Sequence, residues 1–206
     1  MSDSLFERID GNGVMLNGYN RNATVAANEF AWVGSTCVAS WGYSSTCFNG
    51  NCSYSLPWRE GPDARGGEQP RGTRVVNNLF REMGIYQKQA SAYFHAKSGL
   101  VEVAGNVVFN GPRAMFNFND GMIGGDNVHA NLLANAVRES GDHSAINSWD
   151  RVPYIHDLGP GGATKPTVIP LTRREHHNFI LGTCEELAAP AAQTEPVHPW
   201  PPTQQW

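Results

Sequence analysis

The chain has 206 residues and a net charge of −4, and its 15 Lys and Arg residues form no basic run, which excludes non-specific binding to nucleic acid. Gly (22) and Pro (13) are abundant. This composition is typical of many short strands joined by turns, and the length suits a single domain. No window reaches the ~18 apolar residues of a membrane span, and the first residues lack the apolar core of a secretory signal.

A motif of the form Val-x-x-Asn recurs along the chain and is followed each time by apolar residues. Its copies are Val25 to Asn28, Val75 to Asn78, Val103 to Asn106 and Val128 to Asn131, with a looser copy that ends at Asn178. Successive asparagines are 50, 28, 25 and 47 residues apart. Two steps are near 25 and two are near twice that, which predicts a solenoid of about 25 residues per coil with loop excursions.

A second set of short, alternating segments is typical of β-strands and runs in step with the first. Its members are Gly13 to Tyr19, Cys37 to Tyr43, Ala114 to Asp120 and Ala145 to Asp150. Two strands per coil indicate an all-β, right-handed parallel β-helix, in which a turn asparagine in the left-handed conformation hydrogen-bonds the asparagine of the next coil. A β-sandwich also has many short strands, but it predicts no Val-x-x-Asn repeat in step with a second repeat.

These repeats divide the chain into a short N-terminal extension (1–8), a β-helix domain (9–181) and a Pro-rich tail (182–206) that is expected to be disordered. Gly, Pro and Ser content predicts loops at 43–72 and 152–170 within the domain. Cys47 and Cys52 are close enough in sequence to pair, whereas Cys37 and Cys184 are as well explained as buried thiols.

The densest group of charged residues is the stretch "RESGDHSAINSWDR" at 138–151. Gly141 permits a tight corner between Glu139 and the pair Asp142 and His143. Strand alternation then puts Asn147, Trp149 and Arg151 on one face. One coil earlier, "GPRAMFNFNDG" has matching positions, and stacking in this register sets Asp120 beside Asp150. The members of this predicted cluster from the two coils are Glu139, Asp142, His143, Trp149, Asp150, Arg151, Arg113, Asn119 and Asp120.

This cluster has the residue types of glycoside hydrolysis, in which one carboxylic acid protonates the leaving oxygen and a carboxylate acts as base or nucleophile. Asp142 and Asp150 are the leading catalytic candidates and Glu139 is the third. Arg113 and Arg151 suit a uronate, Trp41 and Trp149 offer flat faces to a sugar ring, and His143, Asn119 and Asp120 complete the predicted binding surface. Structural roles remain open: Asp142 and Asp150 as turn caps, Glu139 in an ion pair, Trp149 in the core and His143 on the surface.

Other chemistry has weaker support. A polysaccharide lyase would need a base beside an acidic C–H, and Lys97, His95 or Arg113 could serve. The adjacent histidines His176 and His177 should point to opposite faces of a strand and so should not share a metal ion. Calcium held by Asp120, Asp126 and Asp142 is compatible with the sequence but not required by it, so no cofactor is expected.

The repeats, together with "FNGPRAMFNFNDGMIGGD", "RESGDHSAINSWDR" and "HHNFILG", resemble the right-handed parallel β-helix, or pectin-lyase-like, superfamily. The "ES-G-D" stretch followed by a short strand and "WDR" is similar to the central motif of β-helical glycoside hydrolases of the fucosidase and xylanase types. The resemblance implies an extracellular role on plant or algal polysaccharide, with Glu139, Asp142 and Asp150 as catalysts, and a monomer is expected. Family members are usually longer, which implies a truncated member. β-Helices also include lyases and non-catalytic proteins, so glycan binding without catalysis is the alternative.

Overall fold

A computed structural model of the chain describes residues 1–43, 67–121, 123–141, 143–149, 156–158, 164–166 and 172–183. The described residues form β-strands, bridges and turns and include no helix. Accordingly, no helix in this part of the chain is long and apolar enough to cross a membrane.

Three parallel sheets make up the structure. Sheet 1 contains β2 (Val14–Asn17), β5 (Val38–Trp41), β8 (Tyr93–Ala96), β11 (Phe116–Asn119) and β14 (Ile146–Trp149). Sheet 2 contains β3 (Thr24–Ala26), β6 (Arg74–Val76), β9 (Glu102–Ala104), β12 (Asn127–His129) and β17 (Arg174–His176). Sheet 3 contains β1 (Leu5–Glu7), β4 (Glu29–Val33), β7 (Leu79–Met83), β10 (Val107–Phe109), β13 (Leu132–Ala136) and β18 (Phe179–Thr183).

The chain visits the sheets in a fixed rotation, from sheet 1 to sheet 2 to sheet 3, and then begins the next coil. Every neighbouring pair of strands within these sheets is parallel and in register. The predicted all-β parallel β-helix is therefore confirmed. Each coil has three strands rather than two, because the Val-x-x-Asn motif and the apolar residues after it belong to different strands separated by a corner.

The two long asparagine steps each correspond to one coil. Strand β3 pairs directly with β6, and β12 pairs directly with β17. The additional residues of both steps therefore add no coil to the described solenoid, as the spacing predicted. Within the second excursion, β15 (His156–Leu158) and β16 (Thr164–Pro166) form a separate antiparallel pair.

The motif asparagines form a continuous ladder at the corner between sheets 2 and 3. The side-chain amide of each donates to the side-chain oxygen of the next, at 3.0, 3.1, 2.9 and 2.9 Å, from Asn28 through Asn78, Asn106 and Asn131 to Asn178. The same oxygens also accept from the backbone amide of the asparagine one coil earlier, at 2.9 to 3.1 Å. The predicted contact between asparagines of adjacent coils is confirmed.

The left-handed residue at this corner is not the asparagine but the residue before it. The positions with positive φ are Ala27, Asn77, Gly105, Ala130 and His177. The chain turns at this residue, and the asparagine side chain then fills the inside of the bend. The prediction of a left-handed asparagine was wrong by one residue.

The core lies between the three sheets, and like residues stack in it from coil to coil. Phe6, Phe30 and Phe80 stack with ring centroids 4.6 and 5.0 Å apart, and the motif valines Val25 and Val75 are buried in direct register. Cys37 is a buried free thiol, as predicted, and burial raises its pKa. Cys47, Cys52 and Cys184 lie outside the described residues.

Candidate functional site

The outer face of sheet 1 carries aromatic and amide side chains in two rows. In β11, Phe116 and Phe118 point into the core, so the alternating residues Asn117 and Asn119 point outward. The register places Phe94 and Asn147 in the row of Asn117, and it places Trp41, Ala96 and Trp149 in the row of Asn119. Parallel stacking thus converts a scattered set of residues into one surface.

A groove of about 490 Å³ opens on this face, and we call it the main groove. The described residues that line it come from three successive coils: Gln89, Phe94, Arg113, Asn119, His143, Asn147 and Trp149. Apolar rings and hydrogen-bonding groups alternate within it. This mixture is characteristic of sites that bind small polar molecules with one apolar face.

Two aromatic platforms frame the polar centre of the main groove. Trp149 is 60% exposed at one side. On the other side Phe94 stacks with Trp41, with centroids 5.6 Å apart and an interplanar angle of 24°. Trp41 is itself 40% exposed, so it extends the apolar surface beyond the groove. Trp149 therefore lies on the surface and not in the core.

The amides between the platforms are only partly satisfied by the protein. Asn147 Nδ2 donates to Asn117 Oδ1 at 2.9 Å. Asn117 Nδ2 and Asn119 Oδ1 are buried and have no hydrogen-bond partner among the described residues. Unsatisfied buried amide atoms cost free energy, which a bound hydroxyl or water can offset.

His143 is held at the edge of the main groove by contacts to both ring nitrogens. Its Nε2 lies 2.5 Å from a guanidinium nitrogen of Arg113, and its Nδ1 lies 3.0 Å from Ser140 Oγ. An arginine side chain can only donate, so Nε2 is the acceptor in this contact. The two contacts hold the His143 ring between Arg113 and Ser140.

Sequence reasoning found much of the lining of this groove. Arg113, Asn119, His143 and Trp149 line it, and Trp41 reaches it through Phe94. Gln89 and Phe94 were missed, and Asn147 was placed on the same strand face as Trp149 but was not predicted as a site residue. The signal for Phe94 was present, because the segment Tyr93 to Ala96 is a further copy of the sheet 1 strand, but it has phenylalanine where the two following copies have asparagine.

The predicted carboxylates do not form a described cluster. Asp142, Asp150 and Arg151 lie outside the described residues. Glu139 is on the surface and pairs with Lys88 at 2.9 Å, and the described lining of the main groove does not include it. Asp120 follows directly after Asn119, is partly buried, and its carbonyl accepts from Lys97 N at 2.8 Å. The catalytic assignment of these carboxylates stays a prediction.

A second polar cluster lies inside the solenoid, behind the same sheet. His95 is fully buried and its Nε2 is 3.8 Å from Asp126, whose carboxylate is also 3.6 Å from Arg173. Burial lowers the pKa of His95 to about 4; the nearby Asp126 carboxylate opposes this shift and Arg173 adds to it. A polymer on the surface cannot reach His95, so His95 cannot serve as a lyase base there. Asp126 likewise makes internal contacts, and its Oδ1 accepts from Val101 N at 3.2 Å.

The two adjacent histidines of sheet 2 are closer together than strand alternation predicts. His176 Nδ1 and His177 Nδ1 are 2.7 Å apart, because His177 follows the strand in the left-handed conformation. His176 also stacks with His129, with centroids 5.0 Å apart. Among the described residues, however, no group of three or more His, Cys, Asp or Glu side chains is arranged to hold a metal ion.

Comparison with known proteins assigns no function to this groove. No family model, curated protein or solved structure matches the chain. The function must therefore be inferred from the surface itself.

Proposed function

We propose that this protein binds a polysaccharide along the outer face of sheet 1, with the main groove as the principal sugar site. The observation that carries the proposal is the combination of two exposed aromatic platforms, at Trp149 and at Trp41 with Phe94, with an amide-rich centre between them. The resemblance of the sequence to polysaccharide-active β-helices supports the same reading.

The chemistry of a pyranose ring explains why this combination fits. One face of such a ring is apolar and packs on an aromatic face, whereas its edge carries hydroxyls that both donate and accept hydrogen bonds. Side-chain amides at Asn119 and Asn147 can do both, and Asn119 Oδ1 has no partner in the described structure. Arg113 favours a ligand with a carboxylate, so uronate-containing polymers are the preferred class.

We further propose that the protein hydrolyses the polysaccharide that it binds. It requires a carboxylic acid and a carboxylate on either side of the scissile bond, and Asp142 and Asp150 belong to the segments that flank His143 and Trp149 in sequence. Glu139 remains a third candidate and would have to leave Lys88 to act. Binding without turnover is the alternative, because the main groove already accounts for recognition.

A panel of soluble polysaccharides, uronate-containing and neutral, tests binding by retardation in affinity gels. We expect retardation by at least one uronate polymer, and we expect Trp149→Ala and Asn119→Ala to weaken it. The matched control is Phe179→Ala, which removes an equally exposed ring (63%) from sheet 3. If no polymer retards the wild-type protein, or if the control weakens retardation as much as Trp149→Ala does, the proposal is wrong.

The same polymers distinguish the possible activities. New reducing ends without unsaturated products indicate hydrolysis, and ultraviolet-absorbing unsaturated ends indicate a lyase. We expect hydrolysis to be lost in Asp142→Asn and Asp150→Asn while retardation persists. Retardation of the wild-type protein with no product of either kind would establish binding alone and exclude catalysis by this chain.

A further inference from the structure

A second groove lies at the corner between sheets 3 and 1, and we call it the corner groove. It has a volume of about 420 Å³ and is lined by Arg8, Asp10, Trp32, Ile85 and Tyr86. Trp32 is 45% exposed and Tyr86 is 71% exposed. The corner groove therefore resembles the main groove in presenting aromatic rings beside hydrogen-bonding groups, although it has no residue in common with it.

Trp32 occupies a backbone position that disfavours a large side chain. The equivalent residues of the other coils all have positive φ: Arg8, Glu82, Asn110, Asn135 and Gly182, with Trp32 itself at 55°. Asparagine and glycine suit this conformation, whereas a bulky aromatic residue is unusual in it. Trp32 thus combines an unfavourable backbone conformation with an indole that lines the corner groove and does not pack in the core.

The other side of the corner groove is held by close backbone packing at Gly34. Its carbonyl accepts from Tyr86 N at 3.0 Å and Gln87 N at 2.8 Å, and its amide donates to the Ile9 carbonyl at 2.6 Å. A Cβ at this residue would lie 2.0 Å from the Asp10 carbonyl and 2.8 Å from the Tyr86 ring. Only glycine permits this approach, so Tyr86 and Asp10 are positioned before any ligand arrives.

The two grooves are adjacent along the solenoid. The connection from β7 to β8 contributes Ile85 and Tyr86 to the corner groove and Gln89 to the main groove. Trp32 lies just before β5 in the chain, and Trp149 lies in β14. Within sheet 1, β5 and β14 are three strands apart. At about 4.8 Å per strand, the rings are roughly 14 Å apart along the axis. The corner groove also lies to the side of sheet 1, so an extended polymer that crosses sheet 1 obliquely toward this corner could contact both grooves.

We propose that the corner groove is a distal sugar subsite, which binds a further pyranose ring of the same polysaccharide chain that occupies the main groove. The rings of Trp32 and Tyr86 would contact the apolar face of the sugar, and Arg8 and Asp10 would hydrogen-bond its hydroxyls. This inference rests on the proposed function. It adds that affinity depends on chain length, because only a polymer long enough to span both grooves gains the distal contact.

The test uses oligogalacturonides and xylo-oligosaccharides of increasing length, titrated calorimetrically into the full chain. The distal variants are Tyr86→Ala and Trp32→Asn; asparagine is chosen because it tolerates the positive φ of residue 32. The control is again Phe179→Ala. We expect both distal variants to bind the longest oligomers about tenfold more weakly than the wild-type protein, because each variant removes one ring that stacks on the sugar. For the shortest oligomers that still bind, we expect the affinity of both variants to equal that of the wild-type protein.

The outcomes separate this inference from the proposed function. If Trp149→Ala weakens binding at every length while both distal variants match the wild-type protein at every length, the corner groove is not a subsite and the main groove stands. If the distal variants lose affinity equally for short and long oligomers, they act on the main groove or on folding, and the distal subsite is again excluded. If no oligomer binds the wild-type protein, both proposals fail together.

Discussion

Each interior asparagine of the ladder satisfies several backbone and side-chain groups at once. Asn106 Nδ2 donates to Asn131 Oδ1 at 2.9 Å and to the Val75 carbonyl at 2.8 Å, while its Oδ1 accepts from the amide and side chain of Asn78. All of these groups are buried. Buried hydrogen-bonding groups are costly to leave unpaired, so the ladder both stabilises the corner and fixes the register of the coils.

Replacing Asn106 should therefore destabilise the whole solenoid. We expect Asn106→Ala to lower the free energy of unfolding by about 3 kcal/mol, because its partners on both adjacent coils lose their hydrogen bonds. Urea denaturation measures the change. The matched control is Asn20→Ala, which removes one exposed bond to the Asn17 carbonyl and should cost about 0.5 kcal/mol or less. Equal losses in the two variants would show that the ladder has no special role.

His95 gives the fold a specific dependence on pH. Its pKa is lowered to about 4 in the folded chain, mainly by burial, from the ordinary value of 6.5. As the pH falls from about 6.5 to about 4, the unfolded chain takes up a proton at this residue and the folded chain does not. The stability of the fold should therefore decrease over this window by about 3 kcal/mol, and this contribution should level off below it.

The contribution of His95 can be isolated by substitution. Unfolding free energies measured from pH 7 to pH 4 should fall less steeply in His95→Gln than in the wild-type protein, whatever the absolute stability of the variant. His177→Gln changes an exposed histidine and serves as the control. The account of His95 is contradicted if the wild-type protein and His95→Gln have the same slope.

At the scale of the elements, the corner before each asparagine imposes a backbone cost that varies between coils. Ala130 adopts φ 54° there, whereas the coil before it has Gly105 at φ 65°. Side chains with a Cβ are strained in this region and glycine is not. The corner is nevertheless retained, because it brings the short strands of sheets 2 and 3 into register with only two residues between them.

Relief of this strain is measurable. Ala130→Gly should raise the free energy of unfolding by about 1 kcal/mol, since the left-handed conformation no longer meets a Cβ. Ala134→Gly, in strand β13 of the same coil, should instead lower it by roughly 0.5–1 kcal/mol. Thermal unfolding of the two variants provides the comparison, and shifts of the same sign would refute the explanation.

The elements differ in how well the sequence predicted them. The valine and asparagine of the motif were sufficient to predict the coil length and the asparagine ladder. The valine points into the core, and the asparagine closes the corner. The third strand was missed since a two-residue corner leaves no run of turn residues to mark it. The position of the left-handed residue was missed because alanine and histidine occupy it as well as glycine and asparagine.

The main groove was predictable only where its residues belong to recognised repeats. Arg113, Asn119 and Trp149 followed from aligning two adjacent coils. Gln89 lies in a connection with no repeat pattern, so only the folded chain brings it to the groove. The corner groove was not foreseen for the same reason: its lining combines Asp10 and Tyr86, which no local pattern relates.

At the scale of the whole molecule, stacking turns one-dimensional repetition into a long, continuous surface. Residues about one coil apart in sequence lie next to each other in sheet 1. An example is the pair Asn117 and Asn147, in which Asn147 Nδ2 donates to Asn117 Oδ1 at 2.9 Å. The outer face therefore presents a line of rings and amides parallel to the axis. Such a surface suits an extended ligand better than a compact one, which is why a polysaccharide is the proposed partner.

The affinity of Trp149→Ala for the uronate polymer that binds the wild-type protein best, measured by calorimetry beside Phe179→Ala, tests this account most directly. We predict a loss of about tenfold or more for Trp149→Ala and no change for Phe179→Ala, because only the first ring lies in the main groove. Unchanged affinity in Trp149→Ala would contradict the assignment of sheet 1 as the polysaccharide-binding face.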